Sequence, residues 1–171
     1  MKFHALMILA IAACNSDGVV PSKQPQDAPT DLVKENRDAV KLEDRDIDLY
    51  AQRCGIELIK SGTGVRHHLL RNLPGDSIRS GQWAKVNYRV ELLNGDTAYA
   101  TMRGEPESFL VGMDNVESGL HEAIQHLSPG DSAVIIIPSY RAHGLIGDQD
   151  KVPMRSSVVY RIGLVSVTPD E

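Results

Sequence analysis

FLVGMDNVESGLHEAIQHLSPGDSAVIIIPSYRAHG, residues 109–144, is the stretch on which the fold turns. Val116, Leu120, Ile124 and Leu127 recur at helical spacing, which predicts one amphipathic helix over 116–127. Ser128-Pro129-Gly130-Asp131 stops it with turn chemistry. Ala133 to Ile137 follows as an unbroken apolar run ending at Pro138, a strand rather than a second helix because it is so short.

Reading outward, the flanks have strand texture. IELIK (56–60) and VRHHLL (65–70) are separated by Ser61-Gly62-Thr63-Gly64, and QWAKVNYRVELL (82–93) ends at Asn94-Gly95-Asp96, a strong hairpin signal. ESFLV (107–111) is a further short strand, and SVVYRIGLVSV (157–167) closes the chain. Strands joined by turns around a single helix predict an antiparallel α+β domain over 55–171. Trp83 is assigned to packing, and Cys54 to the core as a small buried side chain.

Before the domain, Asp31 to Arg53 is charge-rich and helical, with Val33, Val40, Ile47, Tyr50 and Cys54 on one stripe, so 31–54 is expected to be a helix that docks on its own domain or on a second copy. Residues 14–30, with prolines at 21, 25 and 29, form a tether. Residues 1–13 have the polar start and apolar stretch of a signal peptide, and Ile11-Ala12-Ala13-Cys14 resembles a bacterial lipobox, whose cysteine is acylated. A multiply acylated Cys14 anchors firmly, because each buried methylene contributes about 0.8 kcal/mol.

The chain has 171 residues, 42% hydrophobic and 24% charged, with net charge −5, the balance of a globular protein without a basic footprint for nucleic acid. Two cysteines exclude a disulfide scaffold. Metal chemistry fails on spacing: His67 and His68 are neighbours pointing to opposite strand faces. His121 and His126 stand about 140° apart around a helix. There is no phosphate loop and no nucleophile elbow, and no metal or cofactor is expected.

Three segments in order, VNYRVELLNGDTAYAT (86–101), residues 109–144 and DKVPMRSSVVYRIGLVSV (150–167), resemble the FKBP-type peptidyl-prolyl cis-trans isomerases. The preceding helix and Gly-Thr-Gly strand are similar to the lipoprotein branch of that family associated with gliding motility. The resemblance implies a twisted antiparallel half-barrel sheet wrapped around one short helix, here preceded by an N-terminal helix, with an apolar pocket between sheet and helix. It implies an enzyme that accelerates rotation about X–Pro bonds in proline-containing polypeptide clients, anchored by lipid in the bacterial cell envelope on the periplasmic side, at the outer membrane. The alternative is a binding module or chaperone with the same groove and little isomerase activity.

Carried over by position, Tyr88 and Phe109 would line the pocket from two strands, with Tyr99 beside them. Val116 and Glu117 would form the loop before the helix, where a backbone N–H meets the substrate carbonyl. Leu120 would be the floor, Val152 would come from a loop, and Tyr160 from the last strand. His143 stands where the family has a tyrosine that donates to the substrate. Other departures are Leu120 for the family's tryptophan, which implies a wider pocket, Ala98-Tyr99 for Phe-Asp, and Glu117 for an apolar residue.

Overall fold

The structure, a computed structural model, describes residues 28–169, with side chains from Asp31 onward. The expected signal segment, most of the tether and Cys14 lie outside the described residues.

Helix α1 (Ala28–Cys54) comes first, then strands β1 (Ile59–Lys60), β2 (Arg66–Arg71), β3 (Gln82–Leu92), β4 (Thr97–Ala100) and β5 (Glu107–Leu110). Helix α2 (Ser118–Ala123) runs into a 3-10 turn at Ile124–His126. Strand β6 (Ser132–Ile137), a 3-10 turn at Ser139–Arg141 and strand β7 (Val158–Pro169) complete the chain. The strands form one sheet in the order β1-β2-β6-β7-β3-β4, with β5 also paired to β3. All pairings are antiparallel, and the β3–β7 pair runs from Gln82↔Pro169 to Leu92↔Val158 with a bulge at Lys85/Val86.

The apolar run in β6 has a physical reason: both faces of the sheet are covered there. Ala133, Ile135 and Ile137 face the main core with Val158, Tyr160, Ile162 and Leu164 of β7 and with Leu120, Ala123, Ile124 and Leu127. Val134 and Ile136, with Val159, face the opposite way and meet Ile47 and Tyr50 of α1. Each such side chain, fully buried, contributes roughly 1.5–3 kcal/mol. Gly119 lets α2 approach the sheet, since a Cβ there would lie 2.3 Å from Ile137 Cγ2.

Ion pairs and hydrogen bonds tie α1 to the domain. The guanidinium of Arg66, only 2% exposed, reaches Asp44 at 3.1 Å and Asp48 at 3.0 Å. Lys60 Nζ meets Asp44 at 2.7 Å, and Arg53 donates to the Leu93 carbonyl at 3.2 Å.

Several expectations are corrected. Helix α1 starts at Ala28, because Pro29 is tolerated in a first turn where its missing N–H would have no partner. Its apolar stripe is divided: Ile47 and Tyr50 are buried, whereas Val33 and Val40 remain exposed, Val40 on the wall of a groove between α1 and the 139–157 region. Cys54 is exposed at the helix end, where Gly55 (φ 64°) turns the chain away. Only Ile59–Lys60 of the segment 56–60 joins the ladder, since Ile56 and Leu58 pack towards α1 instead. The expected helix 116–127 is shortened to α2 plus the 3-10 turn, leaving Val116 in the loop before it. Trp83 is 36% exposed, on the outward side of the alternation in β3.

Candidate functional site

The long strand β3 turns Ala84, Val86, Tyr88 and Val90 inward by its period of two. Because β7 pairs with it so that Tyr88 faces Ile162 and Val90 faces Tyr160, the rings of Tyr88 and Tyr160 stand diagonally, 5.9 Å apart and tilted by 53°. Strand β5 brings Phe109 opposite Ala84 on the same inward face. Phe109 meets the His121 ring edge-on at 5.8 Å, and Leu120, its chain neighbour on α2, is buried in the same core as Phe109, Val152 and Tyr160. Tyr88, Tyr99 and Val116 pack against that core and stay partly open.

Each of the three tyrosine hydroxyls in this region donates to a carboxylate. Tyr88 donates to Glu107 at 2.8 Å. Tyr99 donates to Asp148 and, at 3.4 Å, to Asp150. Tyr160 reaches both oxygens of Glu117, at 2.8 and 2.9 Å. Glu117 also lies 3.0 Å from His143 Nε2, with its side chain only 10% exposed. Burial and the Glu107 contact push the Tyr88 hydroxyl up to about 12. The hydrogen bond to Asp148, with burial, does the same for Tyr99. Burial and the Glu117 charge push Tyr160 up as well. Burial would raise Asp148, but the Tyr99 hydroxyl and the N–H groups of Asp150 and Val152 outweigh it and hold the carboxyl at about 2.

The site residues are therefore linked in two chains. Tyr88, Tyr160, Glu117 and His143 form one through ring contact, hydrogen bond and charge. Tyr99, Asp148 and Val152 form the other, with Lys151 Nζ 4.7 Å above the Tyr99 ring. Phe109, Val116 and Leu120 join them through the core. His143 Nε2 is directed to Glu117 rather than left as an open donor.

Sequence reading missed four participants. Glu107 shares the β5 face with Phe109 and pairs opposite Val86, two residues from Tyr88, so strand register could have found it. Asp148 sits in an irregular loop with no periodic signal. His121 accepts the Gly112 N–H at Nδ1 (2.8 Å) and meets the Asp114 carbonyl from Nε2 (2.9 Å), fixing the loop that leads to Val116 and Glu117. Glu43, on α1, is the fourth. His67 stacks on His126 at 4.3 Å, and among the described residues no group of three or more His, Cys, Asp or Glu could hold a metal ion.

An apolar groove of 640 Å³ lies elsewhere, between α1 and the 139–157 region, lined by residues such as Val40, Leu42, Tyr140 and Leu145; none of the nine site residues lines it.

Comparison with known proteins bears on what such an arrangement does. The profile of the FKBP-type peptidyl-prolyl cis-trans isomerases matches residues 75–165, leaving α1, β1 and β2 outside. FK506-binding protein 2 of Dictyostelium discoideum is 30% identical over 90 residues, covering 52% of this chain and 68% of its own length. FK506-binding protein 1 of Kluyveromyces lactis is 30% identical over 103 residues, 58% of this chain and 90% of that protein. The crystal structure of FkpA from Escherichia coli superposes with a TM-score of 0.67 at 25% identity, over 82% of this chain and 65% of that one. With the α+β architecture, these matches show that the chain belongs to the FKBP-type peptidyl-prolyl cis-trans isomerase family.

Proposed function

We propose that this chain catalyses cis-trans rotation of X–Pro bonds in proline-containing polypeptides, at the site bounded by Tyr88, Tyr99, Phe109, Val116, Glu117, Leu120, His143, Val152 and Tyr160. The barrier is ~18–20 kcal/mol because rotation breaks amide resonance, and uncatalysed exchange takes about tens to hundreds of seconds. The twisted amide is less polar than the planar one, so a dry, ring-lined surface favours it without acid, base or metal. Each ~1.4 kcal/mol of such preference is a tenfold gain. The observation that carries the reading is the tilted Tyr88–Tyr160 ring pair on adjoining strands, within a family-matched domain. The backbone N–H of Glu117, just before α2, is the proposed donor to the substrate carbonyl.

A second reading, a peptide-binding module with little isomerase activity, is favoured by the Glu117 carboxylate, which puts a charge beside Tyr160 where an apolar side chain would keep the surface dry. A proline-limited refolding assay decides between them: acceleration at micromolar protein supports catalysis, and binding without acceleration supports the module.

The setting belongs to the same proposal. Ile11-Ala12-Ala13-Cys14 supports a lipid anchor at Cys14 in the cell envelope, and the N-terminal helix with the Gly62-Thr63-Gly64 turn supports kinship with the gliding-motility lipoproteins. Exposed Leu32, Val33 and Val40 on α1 support self-association through 31–54. Cys14→Ser is expected to move the protein from the membrane to the soluble fraction; retention at the membrane would overturn the anchor.

A further inference from the structure

Helix α1 lies outside the segment that matches the isomerase family, yet one of its side chains reaches the loop that carries His143. Glu43 accepts the Ser139 N–H at 2.6 Å and the Ser139 hydroxyl at 3.0 Å. It also accepts the Ser157 hydroxyl at 2.5 Å. One carboxylate thus takes three donors from two segments far apart in sequence, joining the end of β6 to the start of β7.

Both segments lead into the site. The Ser139 carbonyl accepts the N–H groups of Ala142 (3.0 Å) and Gly144 (2.7 Å), the two residues that bracket His143. His143 then meets Glu117 at 3.0 Å, and Glu117 holds Tyr160. On the other branch, Ser157 immediately precedes β7, which carries Tyr160. The loop has a further tie, Gly144 accepting the Arg155 N–H at 3.0 Å. The route from α1 to the tyrosine pair is therefore continuous in hydrogen bonds and covalent structure.

We propose that Glu43 is a positioning residue for the peptide site, so that the N-terminal helix is a working part of the isomerase rather than a spacer. This rests on the reading of the site given above. Charge-assisted bonds from a carboxylate are short and directional, which suits them to fixing a loop that has no strand of its own. An alanine at position 43 leaves Ser139 and Ser157 without their shared acceptor, and the His143 loop acquires freedom that peptide binding must then remove.

A comparison of two anchors of the same helix tests this. Glu43 reaches the His143 loop; Asp44 reaches Lys60 and Arg66 on the far strands and touches no site residue. Glu43→Ala is expected to lower kcat/KM on a proline tetrapeptide about three- to tenfold and to weaken peptide affinity by a similar factor. Most of the change should appear in KM. Glu43→Gln, which keeps one acceptor oxygen, is expected to recover part of the loss. Asp44→Ala, compared at a temperature where both variants are equally folded, is expected to keep kcat/KM within about twofold of the parent protein.

Parent-like kcat/KM and affinity in Glu43→Ala would overturn the proposal. So would an equal fall in Asp44→Ala, which would mean that helix docking alone matters. If Glu43→Ala does not fold, Glu43→Gln and Ser157→Ala carry the same comparison. If the parent protein turns over no peptide, the isomerase reading fails by itself, and the affinity series still decides the role of Glu43.

Discussion

The Tyr160 hydroxyl donates to both carboxylate oxygens of Glu117, at 2.8 and 2.9 Å, and the residue as a whole is only 6% exposed. A buried donor–acceptor pair of this kind is expensive to halve. Tyr160→Phe leaves the Glu117 carboxylate with His143 as its remaining partner, and is expected to lower unfolding free energy by about 1–3 kcal/mol. Glu117→Gln keeps an acceptor and gives up a mostly buried charge, so its cost is expected to be smaller. Urea unfolding at fixed m-value measures both; equal, negligible shifts in midpoint would contradict the pairing.

All five tyrosines, Tyr50, Tyr88, Tyr99, Tyr140 and Tyr160, have hydroxyls held above their ordinary value, by burial in most and by the Asp148 contact first in Tyr99. A raised value means that the folded chain keeps its protons where the unfolded chain releases them. Stability from these groups is thus fully present below about pH 10 and is lost as pH climbs towards about 12 for Tyr88 and Tyr99. Phenolate absorbance during alkaline titration is expected to rise in step with loss of tertiary structure. Smooth ionisation of all five near pH 10 with the fold intact would refute it.

Asp148 runs the other way. Despite the opposing effect of burial, hydrogen bonds from Tyr99 and from the N–H groups of Asp150 and Val152 lower it to about 2. Its contribution is present above about pH 4 and is lost as pH falls through about 2. Asp148→Asn is therefore expected to narrow the stability difference between pH 5 and pH 3. The carboxyl resonance of Asp148, followed by NMR, should remain that of the ionised form at pH 3.

Burial separates two residues that look equivalent on the apolar stripe of α1. Ile47 is fully buried against β6 and β7, so Ile47→Ala is expected to cost about 2–5 kcal/mol. Val40 is 38% exposed, so Val40→Ala is expected to stay within about 0.5 kcal/mol in the monomer. Thermal melts of the two variants measure the contrast, and a large loss in Val40→Ala at low concentration would mean that α1 docks along its whole length.

That contrast also marks what sequence could reveal. Periodicity identified Ile47 and Val40 alike, because a stripe reports only which residues share a helix face, not where the partner surface ends. Tyr88, Phe109 and Tyr160 were singled out by the family resemblance alone, and it is the strand register that turns them inward. The carboxylates were not: Glu107 needs the β3–β5 register, Asp148 sits in a loop without period, and Glu43 meets Ser139 across 96 positions of chain. Their roles are set by tertiary placement, to which local pattern is blind. The shortening of the 116–127 helix has a similar origin, since the apolar spacing continues through residues 124–126 while the backbone tightens to a 3-10 turn.

His143 offers the sharpest test of how the site is wired. Its Nε2 lies 3.0 Å from Glu117, which holds Tyr160, and its side chain is 26% exposed. Two roles follow from that position: touching the peptide directly, or holding Glu117 in place for Tyr160. A double-mutant cycle separates them, because residues acting through one contact are non-additive whereas independent contacts add. The geometry favours the second role, since the nitrogen that could donate is already directed at a carboxylate. His143→Ala is expected to reduce kcat/KM by about three- to tenfold in the parent protein, and to have little further effect in Glu117→Gln. His143→Tyr, which returns a hydroxyl donor to the same loop, is expected to retain activity within about threefold of the parent, as a single exchanged hydrogen bond would allow. Full additivity of His143→Ala and Glu117→Gln would instead assign the imidazole to the peptide. Parent-like kcat/KM in His143→Ala would take the residue out of the site altogether.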